Sequence, residues 1–288
     1  MTEAQIGIIG GTGLYQMEGI SDVREVRVNT PFGQPSDAII LGTLEGKRLA
    51  FLPRHGRGHL INPTQVPYRA NFYALKSLGV ERIIAINSAG SFQEELAPGH
   101  LVVPDQVIDR TRTRESTFFD RKGLVVHIPF AEPFCPVLRE VLCRAAQQAG
   151  AKVHDGGTFI AMEGPQFSTR AESRLYRSWG ASIIGMTVFP EARLAREAEM
   201  CYASLASVSD YDSWHEEYEP VTAETILAVL RQNVEVSKRI IRIALGLIPE
   251  ERRCLCPEAL KTAIATSPKD IPPQLKRDLA LLIGKYVG

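Results

Sequence analysis

The feature that most constrains this chain is an alternation that runs through most of its length. Short apolar runs ending in small or polar turns alternate with segments whose apolar residues recur at helical spacing. Ile6-Gly7-Ile8-Ile9 ends in Gly10-Gly11-Thr12-Gly13, a strand followed by a turn. Residues 37–44 and 47–52 flank Glu45-Gly46 and read as a hairpin. Tyr68 to Leu78 has helical spacing up to Gly79, and Arg82 to Ile86 reads as a buried strand stopped by Asn87-Ser88-Ala89-Gly90. Leu101 to Val107 is a further strand, and Pro136 to Ala149 an amphipathic helix with Pro136 in its first turn and Gly150 past its end. Strands over 157–162, 181–186 and 201–208, with helices over 168–180, 191–200 and 222–247, complete the pattern. Such a rhythm buries a sheet between helices on both faces. The expected fold is a single α/β domain: a mixed, mostly parallel twisted sheet flanked by helices. Composition shifts only near residue 249, where Pro249-Glu250-Glu251-Arg252-Arg253 opens a polar stretch. This divides the chain into a main unit, 1–248, and a C-terminal helical appendage of the same domain, 249–288, with a short helical pattern from Gln274 to Tyr286.

With 288 residues, 44% of them hydrophobic, the chain can bury a large core without disulfide or metal staples. Lys+Arg and Asp+Glu number 33 each, a balance that argues against a nucleic-acid partner and, with the apolar content, against disorder. No apolar run approaches the roughly 20 residues of a spanning helix, and the stretch 240–248 is broken by Arg242. The N-terminus lacks the basic-then-apolar layout of a secretory signal, so the expected location is cytoplasmic, with no membrane partner. Five cysteines are too few, and odd in number, for a disulfide scaffold. Cys143 falls inside an amphipathic pattern and reads as packing; Cys254-Leu255-Cys256 reads as two ordinary thiols in a polar tail.

In α/β proteins, sites gather beyond the C-terminal ends of the strands. Gly10-Gly11-Thr12-Gly13 exposes backbone N–H groups suited to phosphate, although a structural tight turn explains it equally well. Gln16 stands where a dinucleotide fingerprint needs its third glycine, and no Gly-Lys-Ser/Thr follows for a P-loop. Arg54-His55-Gly56-Arg57-Gly58-His59 gathers cationic groups that suit phosphate oxygens, or else forms a solvated basic loop. Its glycines, and the lack of a nearby carboxylate or Cys, disfavour a metal on His55 and His59. Asn87-Ser88-Ala89-Gly90-Ser91 offers donors or is a plain turn. Residues 162–168 read as a connection ending in a helix cap. Met186 and Thr187 end a strand, where Met is more often core than contact. Ser209-Asp210-Tyr211-Asp212-Ser213-Trp214 places two carboxylates about an aromatic, or is an acidic turn.

Taken together, several of these stretches resemble one family. They are residues 6–14 (IGIIGGTGL), Thr30-Pro31-Phe32-Gly33-Gln34-Pro35-Ser36-Asp37, Arg54-His55-Gly56-Arg57, residues 163–172 (EGPQFSTRAE) and Asp210-Tyr211-Asp212. In order and in content they are similar to the 5′-methylthioadenosine phosphorylases, of the trimeric branch of the purine nucleoside phosphorylases. The likeness spans residues 6 to about 248, the phosphorylase domain, and covers the tail less well.

The resemblance implies a pentosyltransferase that cleaves 5′-methylthioadenosine with inorganic phosphate as co-substrate and no cofactor or metal. The products are adenine and 5-methylthioribose 1-phosphate, in purine and methionine salvage. By similarity Thr12, Arg54, His55, Asn87, Ser88 and Thr187 bind phosphate, with Asn87-Ser88 departing from the hydroxyl-then-small pair common among relatives. Asp210 matches the residue that hydrogen-bonds purine N7; to donate there it must be a neutral acid, above the ordinary carboxylate pKa of about 3.9. Asp212 accepts from the 6-amino group, and Ser168 stands where relatives acting on 6-oxo purines commonly carry Glu. Phe167 and Met186 line the nucleoside site, Met186 under the ribose. Ala223 lines the 5′ pocket, with His127 reaching in from a neighbouring subunit of a homotrimer or dimer of trimers. Tail cysteines form disulfides in some heat-adapted relatives, which would pair Cys254 or Cys256 with each other, Cys201 or Cys135. The competing readings are a phosphorylase for 6-oxo purines, a non-catalytic nucleotide-binding protein, and a hydrolase.

Overall fold

The computed structural model describes residues 2–11, 13, 14, 16–215 and 223–287, apart from the side chains of 223–233. The elements run β1 (Ile6–Gly10), β2 (Ser21–Val26), β3 (Ile39–Leu44), β4 (Lys47–Pro53), α1 (Tyr68–Ser77), β5 (Arg82–Ser91), β6 (Leu101–Val103) and β7 (Gln106–Arg110). They continue with α2 (Pro136–Gln148), β8 (Val153–Asp155), β9 (Thr158–Met162), α3 (Arg170–Ser178), β10 (Ile183–Gly185), α4 (Val188–Glu197) and β11 (Cys201–Asp210). Helices α5 (Ala223–Leu247), α6 (Pro273–Asp278) and α7 (Ala280–Val287) follow. All eleven strands join one mixed sheet. Its central strands are apolar on both faces because helices cover both.

The sheet turns on β5. Strand β11 runs parallel to it from the Cys201–Arg82 pair to the Asp210–Gly90 pair, and so occupies one whole edge. The other edge changes partner. Strand β1 pairs parallel with Arg82 to Ala85, and β10 pairs antiparallel with Gly90 and Ser91. Residues 86–89 lie between these two partners, at the C-terminal ends of β1 and β4. Opposite them a bulge in β11 sets two residues, Ser209 and Asp210, against the single step from Ala89 to Gly90.

Two expectations are corrected here. Asn87-Ser88-Ala89-Gly90 does not stop the strand, because the small residues Ala206, Ser207 and Val208 of β11 pair with it and carry it on to Ser91. Residues 101–107 are not one strand: Pro104, with no N–H to give, separates β6 from β7. The exposed edge strand β2 and the three-residue β8 carry no periodic signal and were not foreseen.

The tail does not stay polar. Leu260, Ala263, Ile271, Leu275, Leu279, Leu282, Ile283 and Val287 are buried in the cluster that holds Ile9, Phe72 and Phe118. The buried Glu199 carboxylate accepts the Leu260 N–H at 3.0 Å and pairs with Tyr286 and Lys285. Residues 263–266 then pair with the segment 125–127: His127 N–H donates to Ala263 O and Ala265 N–H to Val125 O, both at 2.9 Å. Ile283→Ala should therefore cost about 2–5 kcal/mol in urea unfolding, the penalty of a cavity in a shared core. A cost near zero would show that the tail packs loosely on the body.

Candidate active site

Around residues 86–91 the fold gathers two polar poles. The first is built on Arg54, at the end of β4. Its guanidinium is buried, and its Nε and Nη2 pair with the two oxygens of Glu191, Nη2 at 3.0 Å. Nη1 donates to Ile86 O at 3.0 Å, and Tyr202 O–H donates to Glu191 Oε2 at 2.8 Å. Burial works against the charge of Arg54, but Glu191 more than restores it. His55 Nδ1 lies 2.8 Å from Ile61 O, so Nδ1 carries the proton and Nε2 is an acceptor. Burial, then the Arg54 charge, lower the His55 pKa to about 4, and the ring is neutral at pH 7.

The basic hexapeptide is thus not a solvated cationic loop. Arg57 is bound to Asp37 at 2.9 Å and Glu25 at 2.6 Å, and the His59 ring stacks on His55 with centroids 4.4 Å apart. From β5, Asn87 Nδ2 donates to Thr187 Oγ1 at 2.7 Å, while Ser204 Oγ donates to Asn87 Oδ1 at 2.8 Å. Asn87 therefore spends its amide orienting Thr187. Ser88 Oγ is buried without a hydrogen-bond partner among the described residues. Thr12 lies outside the described residues.

The second pole is the end of β11. Asp210 and Asp212 are 9% and 7% exposed. Ser209 Oγ donates to Asp210 Oδ2 at 2.6 Å, and Ser168 Oγ lies 2.6 and 2.7 Å from the two oxygens of Asp212. Gly90 makes room for both: a Cβ there would stand 3.0 Å from Asp210 Oδ1 and 3.2 Å from Asp212 Cβ. Burial raises the pKa of each carboxyl, and the charge of Asp212 adds to the rise at Asp210. Trp214 Nε1–H donates to Ser91 O at 2.7 Å, and the Arg177 guanidinium lies 4.0 Å from the Trp214 ring centroid, which fixes the turn after Asp212. Ser213 Oγ donates to Ser168 O at 2.8 Å.

Met186 comes directly after β10, one residue before Thr187. Gly164 has φ 72°, and a Cβ there would stand 2.7 Å from Met186 Sδ, so this position requires glycine. Arg114, wholly buried, donates to Met186 O, to Phe189 O at 2.8 Å, to Met162 O at 3.1 Å and to Glu163 O at 2.6 Å. Phe167 is partly exposed beside Ser168. His127 is exposed on the segment that pairs with the tail, and its backbone is tied there rather than to either pole. The Ala223 side chain lies outside the described residues, although its backbone opens α5.

The structure thus unites Arg54, His55, Asn87, Ser88, Thr187 and Met186 about β5, with Asp210, Asp212 and Ser168 beyond them. It also adds Glu191 and Arg114, which sequence reasoning missed. Glu191 had a signal: a lone carboxylate among Phe189, Pro190, Ala192, Leu194 and Ala195, where burial demands a cation. Arg114, among other arginines, had none.

Glu191→Ala should destabilise the chain by about 3–5 kcal/mol in chemical denaturation, because it leaves Arg54 buried and unpaired. Asp210→Asn should raise stability at neutral pH. The folded-state pKa of Asp210 lies above its unfolded value, so ionisation opposes folding once the pH exceeds the unfolded value, and fully above the folded one. The gain should vanish when unfolding is measured below the unfolded-state pKa. An equal gain at all pH values would trace it to packing instead.

The chain's likeness to known proteins agrees with this geometry. The family model described as the phosphorylase superfamily matches residues 5–246. The S-methyl-5′-thioadenosine phosphorylase of Geobacter sulfurreducens is 57% identical over 286 residues, covering 99% of this chain and 100% of the relative. A crystal structure of a methylthioadenosine phosphorylase from an antarctic soil metagenomic library superposes with a TM-score of 0.93 at 45% identity, covering 98% of this chain and 99% of that one. The Schistosoma mansoni methylthioadenosine phosphorylase in complex with adenine gives 0.80 at 37% identity, with 98% of each chain covered. The chain belongs to the phosphorylase superfamily and, within it, to the S-methyl-5′-thioadenosine phosphorylase family.

Proposed function

We infer that this chain catalyses the phosphorolysis of 5′-methylthioadenosine to adenine and 5-methylthioribose 1-phosphate, in purine and methionine salvage. The observation that carries the reading is the pair of buried carboxyls Asp210 and Asp212, both with raised pKa, at and just past the end of the strand beside β5, with a buried cation bound four residues back along β5, at Ile86. From Ile86, which binds Arg54, to Gly90, where a Cβ would crowd both Asp side chains, β5 advances four residues, about 13 Å. That is room for a phosphate, a ribose and a purine in line.

In this reading phosphate is the co-substrate and no cofactor or metal takes part. The outer N–H groups of Arg54, the Ser88 hydroxyl, unpartnered among the described residues, Thr187 as oriented by Asn87, and Thr12 donate to the anion. Neutral His55 accepts at Nε2 from the hydroxyl of hydrogen phosphate. Met186 packs under the ribose, where positive charge develops as the glycosidic bond lengthens. The purine leaves as an anion unless N7 is protonated, and general acid catalysis here is worth roughly 10²–10⁴-fold. Burial raises the pKa of Asp210 and so favours the neutral acid this role needs. Asp212, fixed by Ser168, accepts from the 6-amino group, and Phe167 covers the base. Ala223 and the His127 of a neighbouring subunit close the 5′ pocket, in a homotrimer or dimer of trimers working in the cytoplasm. No helix among the described residues is long and apolar enough to cross a membrane.

Free-base release from 5′-methylthioadenosine, adenosine, inosine and methylthioinosine, each with and without phosphate, tests the reaction. Phosphate-dependent adenine release, fastest with the methylthio substrate, is expected. Release without phosphate would mean a hydrolase, and faster 6-oxo cleavage would overturn the Asp210 and Asp212 assignments. Asp212→Asn should lower kcat/KM for 6-amino substrates about 10- to 100-fold relative to 6-oxo ones, the worth of one hydrogen bond to a charged group. A monomeric sedimentation profile with full activity would rule out the shared His127.

A further inference from the structure

Away from the nucleoside site, four cysteines converge from three parts of the chain. Cys135 immediately precedes α2, Cys201 opens β11, and Cys254 and Cys256 come from the tail. All four Sγ atoms lie within 4.8 Å of one another, those of Cys201 and Cys254 at 3.4 Å. Cys135, Cys201 and Cys256 are buried and Cys254 half-buried. Cys254 and Cys256 are therefore not stray thiols of a polar tail. The fifth cysteine, Cys143, lies two turns along α2 and outside the group.

The spacing fits a single ion held by all four sulfurs. A tetrahedral ion with metal–sulfur bonds of about 2.3 Å sets its sulfurs about 3.8 Å apart, within the observed limit. Two separate bridges would need only two close pairs; here every sulfur is near every other. The surroundings hold the cluster in place. Arg82 and Arg252 line the small cavity beside the group, with Val137, Leu138 and Val141. Arg82 donates to Pro249 O and Glu250 O, both at 2.9 Å, and Arg252 to Glu199 O at 2.9 Å, which fixes the chain just before Cys254. No step of the nucleoside reaction uses these thiols.

We propose that Cys135, Cys201, Cys254 and Cys256 form a closed four-thiolate site for a zinc-class divalent cation. With four protein ligands and no open position its role is structural. It ties the start of the tail to α2 and β11, and the tail in turn holds the His127 segment through Ala263 and Ala265.

The test is metal content and intact mass of the full chain purified anaerobically without chelator. The expected result is about one zinc per chain at the fully reduced mass. After chelator removes the zinc under reducing conditions, cobalt(II) should restore thiolate-to-cobalt charge-transfer and tetrahedral d–d bands, which added zinc bleaches. Cys254→Ser and Cys256→Ser should each cut metal affinity by about tenfold or more, and Cys143→Ser should leave it unchanged. The cobalt spectrum of the unsubstituted chain does not depend on whether the serine variants fold. A reduced chain that takes up neither cobalt nor zinc overturns the proposal. So does a non-reducing mass that shows disulfides among these four residues after anaerobic purification.

Discussion

Everything in the candidate site depends on one strand having a neighbour along only one edge for four residues. A strand inside a sheet normally spends its polar backbone on both sides. On β5, β11 supplies a partner from Arg82 to Gly90, while β1 stops at Ala85 and β10 begins at Gly90. The interval is covered by side chains instead. Arg54 takes up the Ile86 carbonyl, and Asn87 reaches Thr187 at the start of α4. The same gap spaces the two poles, so the distance between a cation and a pair of carboxyls is set by strand geometry and does not depend on loop flexibility.

The buried Arg54–Glu191 pair then fixes what the gap can hold. Two charges removed from water contribute little net stability, and their loss in part is severe. Such a pair is retained where a charge must be held in one place and orientation. Glu191 in the first turn of α4, Tyr202 on β11 and Ile86 on β5 together hold Arg54, so one guanidinium couples β4, β5, β11 and α4. Arg114 does the same for the nucleoside side, joining the loops after β9 and β10 through carbonyl oxygens.

The alternation of apolar runs and helical segments made the α/β class legible, and residues at the ends of those runs marked the site. Asp210 and Asp212 could be read because their spacing and their family resemblance are local. What could not be read was long-range. Glu191 meets Arg54 across 137 residues of chain, and the hexapeptide that looks like a basic loop is mostly neutralised by such partners. The family resemblance alone linked Cys254 and Cys256 to Cys135 and Cys201; nothing in the spacing of these cysteines, or in a tail of polar opening residues, predicts which strands the fold will set side by side. The end of β5 was misjudged for a related reason: Asn, Ser and Gly usually break strands, and only a facing strand of equally small residues lets them continue.

The bulge at Ser209 sets the site's tolerance of insertions and deletions. Side chains along a strand alternate between faces, and the bulge absorbs one residue of that alternation: paired without it, Ser209 would stand opposite Gly90 and Asp210 would be carried to the other side of the sheet. Loops of this protein can lengthen or shorten in single steps. At the end of β11 the count between Val208 and Asp210 matters in a way it does not in a loop, because one residue there decides which side chain stands opposite Gly90.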